Sequence, residues 1–252
     1  MPNSLHALRT SVAALAESVA ALDDEDLGRP AYPSEWSVAD TLSHLGSGAV
    51  IMTRALEAAL AGEAIADDFM TSVWDEWNAK SPGAQAADLV VADRAFLAAL
   101  ESVSQADAAR VRIPMDDLDF PTLVQHRLDE HVLHSWDVRV AFEPAAELLP
   151  AVVPAVLHGL GWAAGRSGKP IPDERTVIVH TFDPASTLRL ELGPDAVIIE
   201  PEPRPDPHLY ELHLGAEALV RLVYGRLDAD HTPPGVGGTA DLDELRSIFT
   251  GF

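Results

Sequence analysis

The residues with the clearest chemical potential lie in one stretch, Gln125–Phe142, which reads QHRLDEHVLHSWDVRVAF. Glu130 and His134 are four apart, so on a helix they share one face, one turn apart. His126 lies one turn before Glu130, and Asp137 three residues beyond His134. Leu123, Leu133 and Ala141 share that face, which predicts apolar surroundings for the carboxylate and the imidazole. An ionised carboxylate there is costly unless a cation or donor meets it. A third donor, His44, stands in Ala39–Leu45 (ADTLSHL), about two turns after Ser37, with Val38, Leu42 and Leu45 on the core side. Helix bundles build metal sites from inward Glu and His on facing helices. The set His44, Glu130 and His134 offers two nitrogens and a carboxylate and leaves a coordination position open, as in a catalytic zinc site. Iron, nickel and manganese are alternatives for the same donors.

Blander readings stand beside this one. Isolated Glu-x-x-x-His pairs are common, and a lone His in a core stripe is usually a hydrogen-bonded structural residue. The trio His131, His134 and Asp137 is a rival ligand set, ranked lower because His131 lies toward another side of the helix. His126 is either a support for the ligands or exposed. His6, His158, His180, His208, His213 and His231 have no usable partner spacing and read as structural or surface residues.

Other chemistries drop out. Gly161–Lys169 (GWAAGRSGK) has Ala163 where a phosphate-binding loop needs Gly and Pro170 where it needs Ser or Thr. Gly235–Ala240 (GVGGTA) formally fits a dinucleotide fingerprint, but no following βαβ unit has room, so it reads as a turn. There is no G-x-S-x-G elbow. There are no cysteines, which removes disulfides, thiolate metal sites and a cysteine nucleophile. Any thiol chemistry must use a thiol from outside.

The elements that would position these residues are helical first. Apolar steps of three and four over 4–22 mark an amphipathic helix. The acidic run Asp23–Asp26 reads as a solvated loop. Ser37 and Asp40 form a capping box that opens a helix running to about Ala61 and stopping at Gly62. A third helical stretch covers roughly 67–104, interrupted near Ser81-Pro82-Gly83, and a fourth runs from after Pro121 to about Phe142. A further helix covers about 150–165. After Lys169-Pro170 come the short strand-like segments 176–182, 187–192, 197–200 and 209–214, then helices over 216–224 and 242–249. The expected fold is α+β: a four-helix bundle over 1–150, then a small α+β domain over 151–252 built on an antiparallel sheet. The five tryptophans read as mostly core, with Trp36 and Trp136 as candidate pocket walls.

With 252 residues and 47% hydrophobic content, two cores are affordable in size. Forty Asp+Glu against 17 Lys+Arg give −23, which argues against nucleic acid and anionic membranes as partners. The beginning of the chain lacks a basic leader, and the uncharged run 148–165 is broken by Pro150, Pro154 and glycines. A cytoplasmic protein with no membrane span is the expectation.

Three motifs together resemble a known family. Glu35–Leu45 (EWSVADTLSHL) is similar to the entry of the second helix in the mycothiol-dependent maleylpyruvate isomerase family, part of the wider group of DinB-like metal-binding bundles. Glu130–Arg139 (EHVLHSWDVR) resembles its second signature, and Leu222–Arg226 (LVYGR) the Gly-Arg stretch of its small, sterol-carrier-like C-terminal domain. The resemblance implies His44, Glu130 and His134 as zinc ligands and Arg226 as an active-site residue. It implies mycothiol as a low-molecular-weight thiol cofactor and cis–trans isomerisation of maleylpyruvate to fumarylpyruvate. In that reaction a thiolate adds to the cis double bond, the resulting single bond rotates, and elimination returns the thiol. The anionic substrate would need local cations, and Arg226, Arg139 and Arg54 are candidates. Rival functions are a metal-dependent thiol S-transferase acting on an electrophile and a non-catalytic small-molecule-binding or regulatory protein.

Overall fold

The computed structural model describes residues 2–114, 118–206 and 208–251. The chain divides into two compact units, Met1–Ala146 and Glu147–Phe252. The first contains α1 (Pro2–Val19), α2 (Asp24–Leu27), α3 (Val38–Ala61), α4 (Phe69–Asn78), α5 (Pro82–Ser102), α6 (Gln105–Ala108), β1 (Arg112–Ile113), β2 (Leu118–Asp119) and α7 (Phe120–Val140).

Local chemistry sets the ends of the long helices. The Ser37 side chain accepts from the Asp40 amide while Asp40 reaches back to the Ser37 amide, the reciprocal cap expected from sequence. Ser81 caps α5 with Pro82 in its first turn. Asp119 caps α7, so that helix starts before Pro121 and carries the proline in its first turn, where no amide is needed. The acidic run is not a loop: Asp23 and Asp26 form a second capping box around the one-turn helix α2.

Helix α1 packs on α5 and α7, and α3 on α4, α5 and α7. Leu8, Leu15, Leu42, Leu45, Leu56, Leu89, Phe96, Leu123 and Leu128 fill the space between them and are almost wholly buried. Each such side chain contributes about 1.5–3 kcal/mol by leaving water. Trp74 and Trp162 are exposed, so the tryptophans are less uniformly core than expected.

The second unit contains α8 (Val153–Ser167), β3 (Arg175–Phe182), β4 (Ser186–Leu192), β5 (Val197–Pro201), β6 (Tyr210–Gly215), α9 (Ala216–Val223), β7 (Gly237–Gly238) and α10 (Leu242–Ile248). The sheet order is β5-β4-β3-β6-β7. It is not wholly antiparallel: β3 and β6 run parallel, with His180 opposite His213 and Ile178 opposite Glu211. The strand order puts β6 beside β3 and not beside β5, and parallel pairing makes β6 enter from the same end as β3. Val177, Val179, Leu188, Leu190, Leu212 and Leu214 are buried, and the sheet packs against α9. The Gly235–Ala240 segment holds a two-residue edge strand. A Cβ at Gly238 would lie 2.1 Å from the Glu211 carbonyl oxygen, so the glycine serves close strand approach. Among the described residues, no helix is long and apolar enough to cross a membrane.

Candidate metal centre

Two helices and one loop build the centre. The capping box fixes where α3 begins, which places His44 two turns in. Helix α7 supplies Glu130 and His134 from successive turns. His44 Nε2 lies 3.2 Å from Glu130 Oε2, and His134 Nε2 lies 3.6 Å from the same oxygen. The three donor atoms fall within 4.8 Å of one another. Two atoms each bonded at about 2.0–2.1 Å to one tetrahedral ion stand about 3.3–3.4 Å apart. The observed spacings fit that geometry with small side-chain adjustments.

Asp137 completes the arrangement from behind. His134 Nδ1 donates to Asp137 Oδ2 at 2.8 Å, and the Asp137 side chain has no exposure. That bond holds the Nδ1–H tautomer, so in neutral His134 the lone pair is on Nε2, facing Glu130. Carboxylates behind metal-binding histidines act in this way. Asp137 therefore supports the ring and is not a ligand of the rival trio. The donor set fits a divalent metal of borderline softness on its chemistry alone: two imidazole nitrogens, one carboxylate and an oriented tautomer.

Trp36 forms a wall. Its ring centroid lies 5.1 Å from His44 and 6.0 Å from His134, and the two imidazoles are 4.7 Å apart. The loop carrying Trp36 is tied down by the Ala31 amide donating to the Trp36 carbonyl and the Trp36 amide donating to the Pro33 carbonyl. Trp136, by contrast, is buried and packs edge-on against Tyr32.

The centre is more open than the helical wheel predicts. The His44 side chain is 40% exposed and that of Glu130 32%. Leu123 and Leu133 are buried, but the ligand atoms stand at the edge of the apolar stripe rather than within it. Burial opposes charge on Glu130. The hydrogen bond from His44 and the fields of His134, His44 and His126 outweigh it and hold the carboxyl well below the ordinary carboxylate range. Glu130 is thus an anion at neutral pH, ready to bind a cation.

His131 turns the other way, into the bundle. Its Nδ1 lies 2.8 Å from Ser11 Oγ and its Nε2 donates to Asp93 Oδ2 at 3.0 Å. Arg127 donates to Asp93 Oδ1 at 2.5 Å and to the Leu45 carbonyl at 2.9 Å. This buried network joins α1, α3, α5 and α7, and the Leu45 carbonyl it grips follows His44 directly. The sequence reading missed Asp93. A usable signal existed: Asp93 occupies a core position in the stripe Leu89, Asp93, Phe96, Leu100, where only a paired charge is tolerated.

The candidate cations stand as follows. Arg54 pairs with Glu63 at 3.0 Å, and Arg139 lies 3.8 Å from Glu143. Arg226, in the second unit, donates to the Tyr224 carbonyl at 2.8 Å. An apolar cavity of about 540 Å³ lies beside α3, lined by Ile51, Ala55, Phe69, Met70 and Ile113; none of the three donors lines it.

Residues 8–139 match the family model described as the mycothiol maleylpyruvate isomerase N-terminal domain. No curated protein matches the sequence. The crystal structures of the mycothiol-dependent maleylpyruvate isomerase and of a histidine-to-alanine mutant of it each superpose with a TM-score of 0.66. Each is 13% identical and covers 94% of this chain and 91% of the other, a likeness of fold.

Proposed function

The chain belongs to the mycothiol maleylpyruvate isomerase family, and from that membership we propose that it is a zinc- and mycothiol-dependent isomerase that interconverts cis and trans forms of an unsaturated keto acid. Maleylpyruvate is the first substrate to test. The observation that carries the reading is the convergence of His44 Nε2, Glu130 Oε2 and His134 Nε2, with Asp137 fixing the His134 tautomer. These three residues would hold the metal. A zinc ion so held supplies positive charge that lowers the pKa of a bound thiol, as it does for bound water.

The remaining roles belong to the chain itself. Asp137 holds the proton of neutral His134 on Nδ1, which leaves the Nε2 lone pair for the metal. Glu130 contributes a fixed negative charge because its neighbours keep it ionised. Trp36 shields one side of the two rings from water. Arg226 is assigned to hold a substrate carboxylate, a need made acute by the formal charge of −23. Residues 1–150 serve as the metal-binding bundle and 151–252 as the sterol-carrier-like domain. The activity belongs in the cytoplasm, where low-molecular-weight thiols are kept reduced.

The test combines metal content with activity. Wild type, His44→Ala and Glu130→Gln are assayed with mycothiol and maleylpyruvate after zinc loading. Zinc lost and isomerisation abolished in both variants supports the reading. A folded wild type that takes up no metal at these residues, or stays inert with thiol and substrate, overturns it. Accumulation of a thiol conjugate in place of the trans isomer moves the assignment to an S-transferase. Small-molecule binding retained by metal-stripped protein, with His44→Ala and His134→Ala costing only stability, moves it to a binding protein.

A further inference from the structure

The outward face of the sheet in the second unit carries a separate donor cluster. Strands β3 and β6 are parallel neighbours, and their register sets His180 opposite His213. Glu211 is two residues before His213 and so projects from the same face. The two imidazoles stack with centroids 4.8 Å apart and planes 16° from parallel. His213 Nε2 lies 3.2 Å from Glu211 Oε2, and His180 Nε2 lies 4.0 Å from Glu211 Oε1. One donor atom from each residue falls within 4.8 Å of the others. The sequence gives no hint of this, because 33 positions separate His180 from His213 and only strand pairing joins them.

We infer that His180, Glu211 and His213 form a second divalent-metal site, one that takes a borderline transition ion such as zinc. Three physical features support it. The donor set repeats the two-imidazole, one-carboxylate chemistry that suits zinc. The spacing of 3.2 Å matches two ligands of one tetrahedral ion, and the 4.0 Å gap closes with a small rotation of side chains that are part exposed. The backbone beneath is rigid: the Glu211 amide donates to Thr239 Oγ1, and the amides of Thr239 and Ala240 both donate to the Glu211 carbonyl.

The surrounding charge also favours a cation. Next to β3, on β4, Arg189 is pressed by three carboxylates, Glu191, Glu200 and Glu202. With Glu211 these residues bring four negative charges against one positive, before any histidine is protonated. Thr187 Oγ1 lies 3.4 Å from His180 Nδ1, a long contact that leaves Nε2 turned toward Glu211. An ion bound here has at least one coordination position open to solvent.

The experiment is a zinc titration of the full chain by calorimetry, with NMR of the histidine rings, on wild type, His180→Ala, His213→Ala and His44→Ala. These are part-exposed positions, and circular dichroism checks that each variant folds. The expected result is a zinc event lost or weakened by more than about 100-fold in both sheet variants, beyond the loss typical of supporting residues. The same event persists in His44→Ala, and zinc shifts the ring signals of His180 and His213. A zinc stoichiometry and affinity unchanged in both sheet variants overturns the inference, as does unmoved ring signals at millimolar zinc. The bundle site is read by His44→Ala alone, so either site can fail without the other.

Discussion

Substituting Asp93 by Asn tests how the bundle holds its ligands in register. Asp93, Arg127 and His131 are each no more than 4% exposed. The asparagine keeps the shape and can offer its one oxygen to Arg127. Its amide then faces His131, which can accept by moving its proton to Nδ1 and donating to Ser11 Oγ. The hydrogen bonds are therefore replaceable, and what is lost is the negative charge opposite a buried guanidinium. Leaving one partner of a buried ion pair uncompensated costs about 3–5 kcal/mol. With a urea slope of about 2 kcal/mol/M that is a midpoint shift of about 1.5–2.5 M. Four of the five tryptophans (Trp36, Trp74, Trp77 and Trp136) lie in the first unit, so fluorescence reports its unfolding. Arg127→Met should cost a similar amount, and the double variant should cost about 3 kcal/mol less than the sum. The pH dependence has a defined sign. Burial opposes the charge of Asp93, but His131 and Arg127 overcome it and lower its pKa from 3.8. Its stabilisation is thus fully present above pH 3.8 and is lost as pH falls through the lower folded value. The gap between wild type and Asp93→Asn should narrow as pH falls below 3.8. Additivity of the two single variants within about 0.5 kcal/mol would refute the coupling.

Three further outcomes are expected. Asp137→Asn should weaken zinc binding at the bundle site by about 10–100-fold, measured by competition with a chromogenic chelator, because it removes the charge behind His134. Zinc affinity of that site should fall on acidification in the same chelator competition, because both imidazoles must be free of a proton at the donor nitrogen to bind, while Glu130, whose pKa its neighbours lower, stays ionised. Gly46→Ala should destabilise the first unit by about 1–3 kcal/mol in the same urea assay, since the added Cβ would stand 2.2 Å from the Trp77 ring.

Much of the centre is local and so was legible early. The Glu130–His134 pair is written in a four-residue spacing, and Ser37 with Asp40 announces where α3 begins; a helix turns these intervals into shared faces without outside help. His44 stands in the apolar stripe of the helix that Ser37 caps, which marks it as an inward donor, and the motif likeness points to the same histidine. The openness of the centre was not legible, because a helical wheel gives a direction but not how far neighbouring helices cover it. Asp93 and Arg127 meet across 34 residues and His44 and Glu130 across 86, contacts that exist only once α3, α5 and α7 pack. The His180–His213 pair, read from sequence as structural or surface residues, goes further: which strand lies beside which depends on a parallel pairing between segments 33 positions apart. Short-range intervals fix what a helix or strand presents, and packing alone decides which presentations meet.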